Sequence, residues 1–148
     1  MLANQYFMAR RFAEAKPILN KLVETHNRRL DLAKKLVICY AQTGEFQKAL
    51  SLFHLIISSD IDEILSTDLV LDDCPCPELI FELEKSAIHK REEWENLTLG
   101  MLWLYCDIDT SLKYFQGAAN NVQRPQELEP ILTLLTNKIN QLKSNGES

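Results

Sequence analysis

The sequence predicts an all-α protein: a helical-repeat α-solenoid of antiparallel helix pairs, with an irregular insert and a C-terminal capping helix. Three observations predict it. Gly 4 and Pro 5 among 148 residues leave little material for the turns of an all-β fold. Apolar residues recur at spacings of three and four, the period of one helix face. Sliding the chain against itself gives one strong offset, 34 residues, at which bulky positions meet bulky and small meet small. The hydrophobic share of 46% and charged share of 25% are those of an ordinary folded domain.

The elements follow in order. A short helix over Leu2 to Ala9 opens the chain, only about two turns long and marginal without tertiary support. At the 34-residue offset Leu2 aligns with Leu36, Tyr6 with Tyr40, Phe12 with Phe46, Ala15 with Ala49, Leu19 with Phe53 and Leu22 with Ile56. Within Leu30 to Thr43, residues Leu32, Ala33, Leu36, Val37 and Tyr40 make one helix face. Gly44 ends that helix, since glycine takes the left-handed conformation without penalty. A second helix, Phe46 to Ser58, carries Ala49, Leu50, Phe53, Ile56 and Ile57. Ala49 is small enough for two antiparallel helices to approach closely, and Phe46 and Phe53 fill the space on either side.

The stretch Ser58 to Pro77 is irregular and ends Asp72-Asp73-Cys74-Pro75-Cys76-Pro77. A residue before proline is driven from helical angles, so Cys74 and Cys76 are expected extended, with the next helix starting near Pro77 and running from Glu78 to about Lys90. A less regular third copy places Leu99, Leu102, Cys106, Ile108, Ser111, Phe115 and Ala118 at corresponding positions, with Ser111 for the alanine and Cys106 for the glycine. After Arg124-Pro125 an amphipathic segment, Leu128, Ile131, Leu132, Leu135, Ile139 and Leu142, reads as the solvating cap of a repeat array. The expected organisation is one helical domain over 1–143, with repeats at about 1–29, 30–63 and 92–124, insert and extra helix at 58–91, cap at 125–143 and a disordered tail at 144–148.

The pattern carried by Leu36, Val37, Tyr40, Gly44, Phe46, Ala49, Phe53 and Ile56, with Leu2, Ala3, Tyr6, Phe12, Ala15, Leu19 and Leu22 as its earlier copy, resembles the tetratricopeptide repeat (TPR) family. The family's proline near the repeat end is missing, because Asn27 and Ile61 stand there. The resemblance implies a non-enzymatic interaction module that binds a peptide or protein in a concave groove lined by the first helix of each repeat. It assigns to that groove Asn4, Phe7 and Met8 from the first copy, Asp31, Lys34, Lys35, Ile38, Ala41 and Gln42 from the second, and Trp103 and Leu104 from the third. Exposed Phe7, Met8, Ile38 and Trp103 would form an apolar strip bordered by charge; the alternative buries Phe7, Met8 and Trp103 under a neighbouring helix. Family members that clamp acidic chaperone tails are matched poorly: Asn4 fits, but Lys35 stands for an asparagine, Leu97 for an arginine and Glu93 for a lysine. The second functional reading, also from the resemblance, is an export chaperone for hydrophobic subunits of a bacterial type III secretion system.

Other chemistries lack their residues. Gly44, Gly100, Gly117 and Gly146 are too scattered for a phosphate-cradling loop, and His26, His54 and His89 have no partner ligand at helical metal-site spacing. No nucleophile elbow exists, so no enzyme, metal or cofactor is expected. Cys74-Pro75-Cys76-Pro77 invites a metal or redox reading, opposed by side chains two apart diverging in a proline-stiffened chain, while Cys39 and Cys106 sit at apolar helical positions that favour burial. Four cysteines are too sparse for a disulfide scaffold and fit a reducing compartment. Net charge is -5, but residues 1–58 hold nine basic against four acidic groups and the remainder is acidic. That polarity orients a charged partner, is met by a second copy packed head to tail, or is ordinary solvated surface. The basic pairs lack interleaved aromatics, which disfavours nucleic acid. No apolar run spans a bilayer and no leader precedes the first helix, so a cytoplasmic protein is expected, its short N-terminal helix covered by a homodimer partner or another chain.

Overall fold

The computed structural model describes residues 2–26, 28–68, 74–85, 93–120 and 124–146. Among them it is all-α: α1 (Leu2–Met8), α2 (Phe12–Thr25), α3 (Leu30–Gln42), α4 (Phe46–Asp60), α5 (Asp62–Leu65), α6 (Cys76–Lys85), α7 (Glu93–Trp103), α8 (Ile108–Ala118) and α9 (Leu128–Gly146). The chain forms two compact units, Met1–Pro75 and Cys76–Ser148, whose boundary falls inside the expected insert.

In the first unit each short turn folds a helix back on its predecessor, and α3 packs against α2, α4 and α5. The two hairpin turns are copies of one another. The amide of Arg11 donates to the Tyr6 carbonyl at 2.8 Å and that of Glu45 to Tyr40 at 2.9 Å; Arg10 donates to Phe7 and Gly44 to Ala41 at the matching positions. Each pair of bonds satisfies carbonyls left open at a helix end. Ala15 and Ala49 are both fully buried, as small residues at a helix crossing require. Leu36, Val37, Ile38 and Cys39 of α3 are buried, as are Leu50, Phe53, Ile56 and Ile57 of α4.

In the second unit α7 packs against α6 and α8, and α8 against α9. The closest approach is at Gly100, whose carbonyl accepts the Ser111 hydroxyl at 2.6 Å while the Phe115 ring fills the space a side chain would need. The turn here, which carries Cys106, differs from the other two. The Asp107 amide returns to Trp103 at 2.7 Å, and the Asp107 carboxylate caps α8 by accepting from the Thr110 amide at 3.1 Å.

Several expectations are corrected. The stretch after Ser58 is not wholly irregular: α4 continues to Asp60 and α5 forms one further turn. Cys76 is helical rather than extended, as the first residue of α6, because a proline in a helix's first turn forfeits no intrahelical bond. Cys74 and Cys76 are disulfide-bonded rather than free thiols, and Cys106 is exposed rather than buried; only Cys39 is a buried thiol. Helix α9 continues to Gly146, so Ser144, Asn145 and Gly146 are ordered. The expected helix beyond Lys85 and the end of the tail at 147–148 lie outside the described residues.

Candidate functional site

The residues assigned to a concave groove are placed mainly inside the first unit. Phe7 is fully buried, its ring edge-on to Phe12 at 5.7 Å, and Ile38 is buried as well, so neither contributes to an exposed strip. Lys34 is buried: its ammonium donates to the Glu63 carbonyl at 3.1 Å and the Thr67 hydroxyl at 3.0 Å, with the Glu63 carboxylate at 3.6 Å. The segment carrying α5 is thus fastened onto the face of α3 that the groove was to use. Lys35 donates to Asn4 at 2.9 Å and lies over the Phe7 ring at 5.6 Å. Asp31 is held by Arg29 at 2.8 Å, which keeps its carboxyl below the usual range. Gln42 is half-buried, Ala41 is buried, and Met8 alone of the apolar set is open, at 53% exposure.

In the second unit Leu104 is buried and Trp103 is half-buried, its indole N–H donating to Glu84 at 3.3 Å. The Tyr114 hydroxyl donates to the same carboxylate, so one acidic side chain of α6 is gripped from α7 and α8. Trp103 is therefore a structural tie. Leu97, at the clamp position where the resemblance expects an arginine, is fully buried, and the Glu93 side chain lies outside the described residues.

The open concavity of the first unit lies on the opposite partners of α3. A furrow of about 370 Å³ runs between α2 and α4 with α3 as its floor, lined by Val23, Leu36, Tyr40, Leu52 and Leu55 and rimmed by Asn20, Gln47, Lys48 and Ser51. It continues into a second hollow of about 330 Å³ through the shared residues Asn20, Tyr40 and Lys48, reaching Ala13, Lys16, Pro17 and Glu45. Leu55 stands 60% exposed at one end. Helix α4 makes this surface because its apolar residues cover more than one face: Ala49, Leu50, Phe53, Ile56 and Ile57 are buried, and Leu52 and Leu55 are left over on the outer side. That excess width is the signal in the sequence; counting only the core face conceals it.

The other end of the furrow is charged. Lys16 donates to Glu45 at 2.5 Å and to the Thr43 hydroxyl at 3.1 Å, and Lys48 reaches the other Glu45 oxygen at 3.1 Å. These two ammonium groups hold the Glu45 carboxyl below its ordinary 4.5. Two positive charges meet one negative, leaving a local excess of one positive charge. Beside them Tyr40 donates to Asn20 at 3.2 Å, and Lys48 lies over its ring at 5.9 Å.

Among the described residues no three His, Cys, Asp or Glu side chains group as metal ligands, and no helix is long and apolar enough to cross a membrane. No family model matches the chain, and no curated protein or solved structure matches it either.

Proposed function

We propose that this chain is a non-catalytic protein–protein interaction module of tetratricopeptide-repeat type, and that it takes an amphipathic helix of its partner in the furrow between α2 and α4. The observation that carries the reading is Leu55, a large apolar side chain left 60% exposed beside a concavity floored by Leu36 and Tyr40. The copied turns at Arg10 and Gly44 support the repeat assignment. An apolar row on one helix face fits the furrow's width and lining, and an acidic residue at one end of that helix meets the excess charge of Lys16 and Lys48. The same surface can shelter a hydrophobic segment until release, which is the chaperone form of the function.

Panning a phage-displayed library of helical peptides against the protein tests it. Enriched peptides are expected to carry leucine or phenylalanine at spacings of three and four with an acidic end, and to lose at least tenfold in affinity against Leu55→Asp, about 1.4 kcal/mol. Lys35→Ala, on the other face of the unit, is expected to leave them bound. Peptides that bind wild type and Leu55→Asp equally would move the site elsewhere.

A further inference from the structure

The lining of the furrow has a direction. From the charged end to the Leu55 end, α2 contributes Lys16, then Asn20, then Val23, and α4 contributes Lys48, then Leu52, then Leu55. Residue numbers rise along both walls, so α2 and α4 run parallel. Along the floor they fall, from Tyr40 to Leu36, so α3 runs the opposite way. The beginnings of α2 (Phe12–Thr25) and α4 (Phe46–Asp60) therefore lie together, tied by the Lys16 bonds to Glu45 and Thr43. A helix carries about half a positive charge at its N-terminus and about half a negative one at its C-terminus. Two N-termini and the C-terminal end of α3 meet here, which leaves one N-terminus unbalanced. It adds to the excess of Lys16 and Lys48 over Glu45. At the Leu55 end the helix ends are reversed, and beyond Lys48 the described lining holds no charged side chain.

We infer that the partner helix enters the furrow antiparallel to α2 and α4 and parallel to α3, with its C-terminal turn between Lys16 and Lys48. This polarity rests on the reading that the furrow takes a helix, and adds which end of that helix is recognised. The last carbonyl groups of a helix have no intrahelical donor, so the two ammonium groups meet them together with any carboxylate in the same turn. The requirement is selective. A carboxylate near the C-terminus weakens a free helix, whereas one near the N-terminus strengthens it. The favoured partner is therefore an amphipathic segment with acidic residues in its last turn, which gains helix on docking.

The probes are a pair of synthetic peptides of 14 residues, the length of α2, blocked at both ends. Both carry the same leucine row at spacings of three and four on an alanine and glutamine background. They differ only in whether their glutamates stand in the first turn or the last. By circular dichroism the last-turn peptide is expected to be the less helical when free, and yet to bind the full chain about threefold more tightly or better. Lys48→Gln is expected to narrow that ratio. A nitroxide at the C-terminal end of the last-turn peptide is expected to broaden the amide resonances of Lys16 and Lys48, and one at its N-terminal end those of Val23 and Leu55. The reverse pattern, or both labels broadening both ends alike, would overturn the polarity and leave the helix reading standing. A first-turn peptide that binds more tightly would also overturn it, since affinity would then follow free helicity. Broadening outside the furrow, or no binding by either peptide, would overturn both. The label pattern is read on the unaltered chain, so it decides even where Lys48→Gln fails to fold.

Discussion

Arg10 and Gly44 stand 34 residues apart and share one backbone conformation, with φ of +62° and +83° in the same position of two copied turns. The repeat is therefore carried by the main chain as well as by side-chain size. Arg10 holds, without glycine's freedom, the place that glycine suits.

That inequality predicts opposite responses. A Cβ at Gly44 meets nothing within 4 Å, so Gly44→Ala costs only the left-handed strain, about 1–2 kcal/mol. Arg10→Gly relieves a similar strain and adds about 0.5–1 kcal/mol of unfolded-chain entropy, so it is expected to leave stability equal or slightly raised. Urea unfolding of both variants measures the difference. A neutral Gly44→Ala would contradict the account of the turn.

Lys34 is the anchor of the α5 segment, and Lys34→Met keeps its stem while removing the ammonium. The Glu63 carbonyl and Thr67 hydroxyl then lose their donor, at a cost of about 1–3 kcal/mol for partly buried acceptors. The loss is expected to be local. Hydrogen exchange should rise in residues 60–68 well before it rises in α3 or α4, and protection unchanged there would show that α5 is held by its apolar contact alone.

How much of this was legible follows from which interactions are periodic. The helix pairs were, because burial of Leu36, Phe53 and Phe115 imposes a spacing that the sequence displays. The covering of α3 was not. Lys34 reads as a solvated charge on a helix face, and only its long-range partners Glu63 and Thr67, in a stretch without periodicity, turn it inward. The furrow was half legible: Leu52 and Leu55 are visible as surplus apolar residues, but their exposure depends on where α2 and α4 sit around α3. The start of α6 at Cys76 was hidden by treating the two prolines as enforcing extended chain, when Pro77 in fact lies in a first helical turn.

Gly100 tests the packing of the second unit. An added Cβ would lie 2.8–2.9 Å from the Phe115 ring, which is fully buried, so something must shift. Gly100→Ala is expected to cost about 1–3 kcal/mol through overpacking. Phe115→Leu alone opens a cavity and is also destabilising. Combined, the two changes fill each other's defect, so the double variant is expected to lose less than the sum of the singles by at least about 0.5 kcal/mol. Strict additivity in thermal or urea unfolding would mean that the two residues do not share the space.

Glu45 gives the first unit a definite acid response. Its carboxyl is held below 4.5 by hydrogen bonds from Lys16, first, and from Lys48. The unfolded chain therefore binds a proton at higher pH than the folded chain does. The stabilisation is fully present above 4.5 and is lost as pH falls through the lowered folded value. Glu45→Gln keeps the shape, removes the titration, and is expected to flatten this part of the profile below about pH 5 while lowering stability at neutral pH. Lys16→Met is expected to flatten it by a similar route, since it removes the leading donor. Salt separates this pair from a distant charge effect. With Lys16 and Glu45 in direct contact at 2.5 Å, about 1 M salt should weaken but not erase the difference between wild type and Glu45→Gln, and complete erasure would mean that the carboxylate interacts only through solvent.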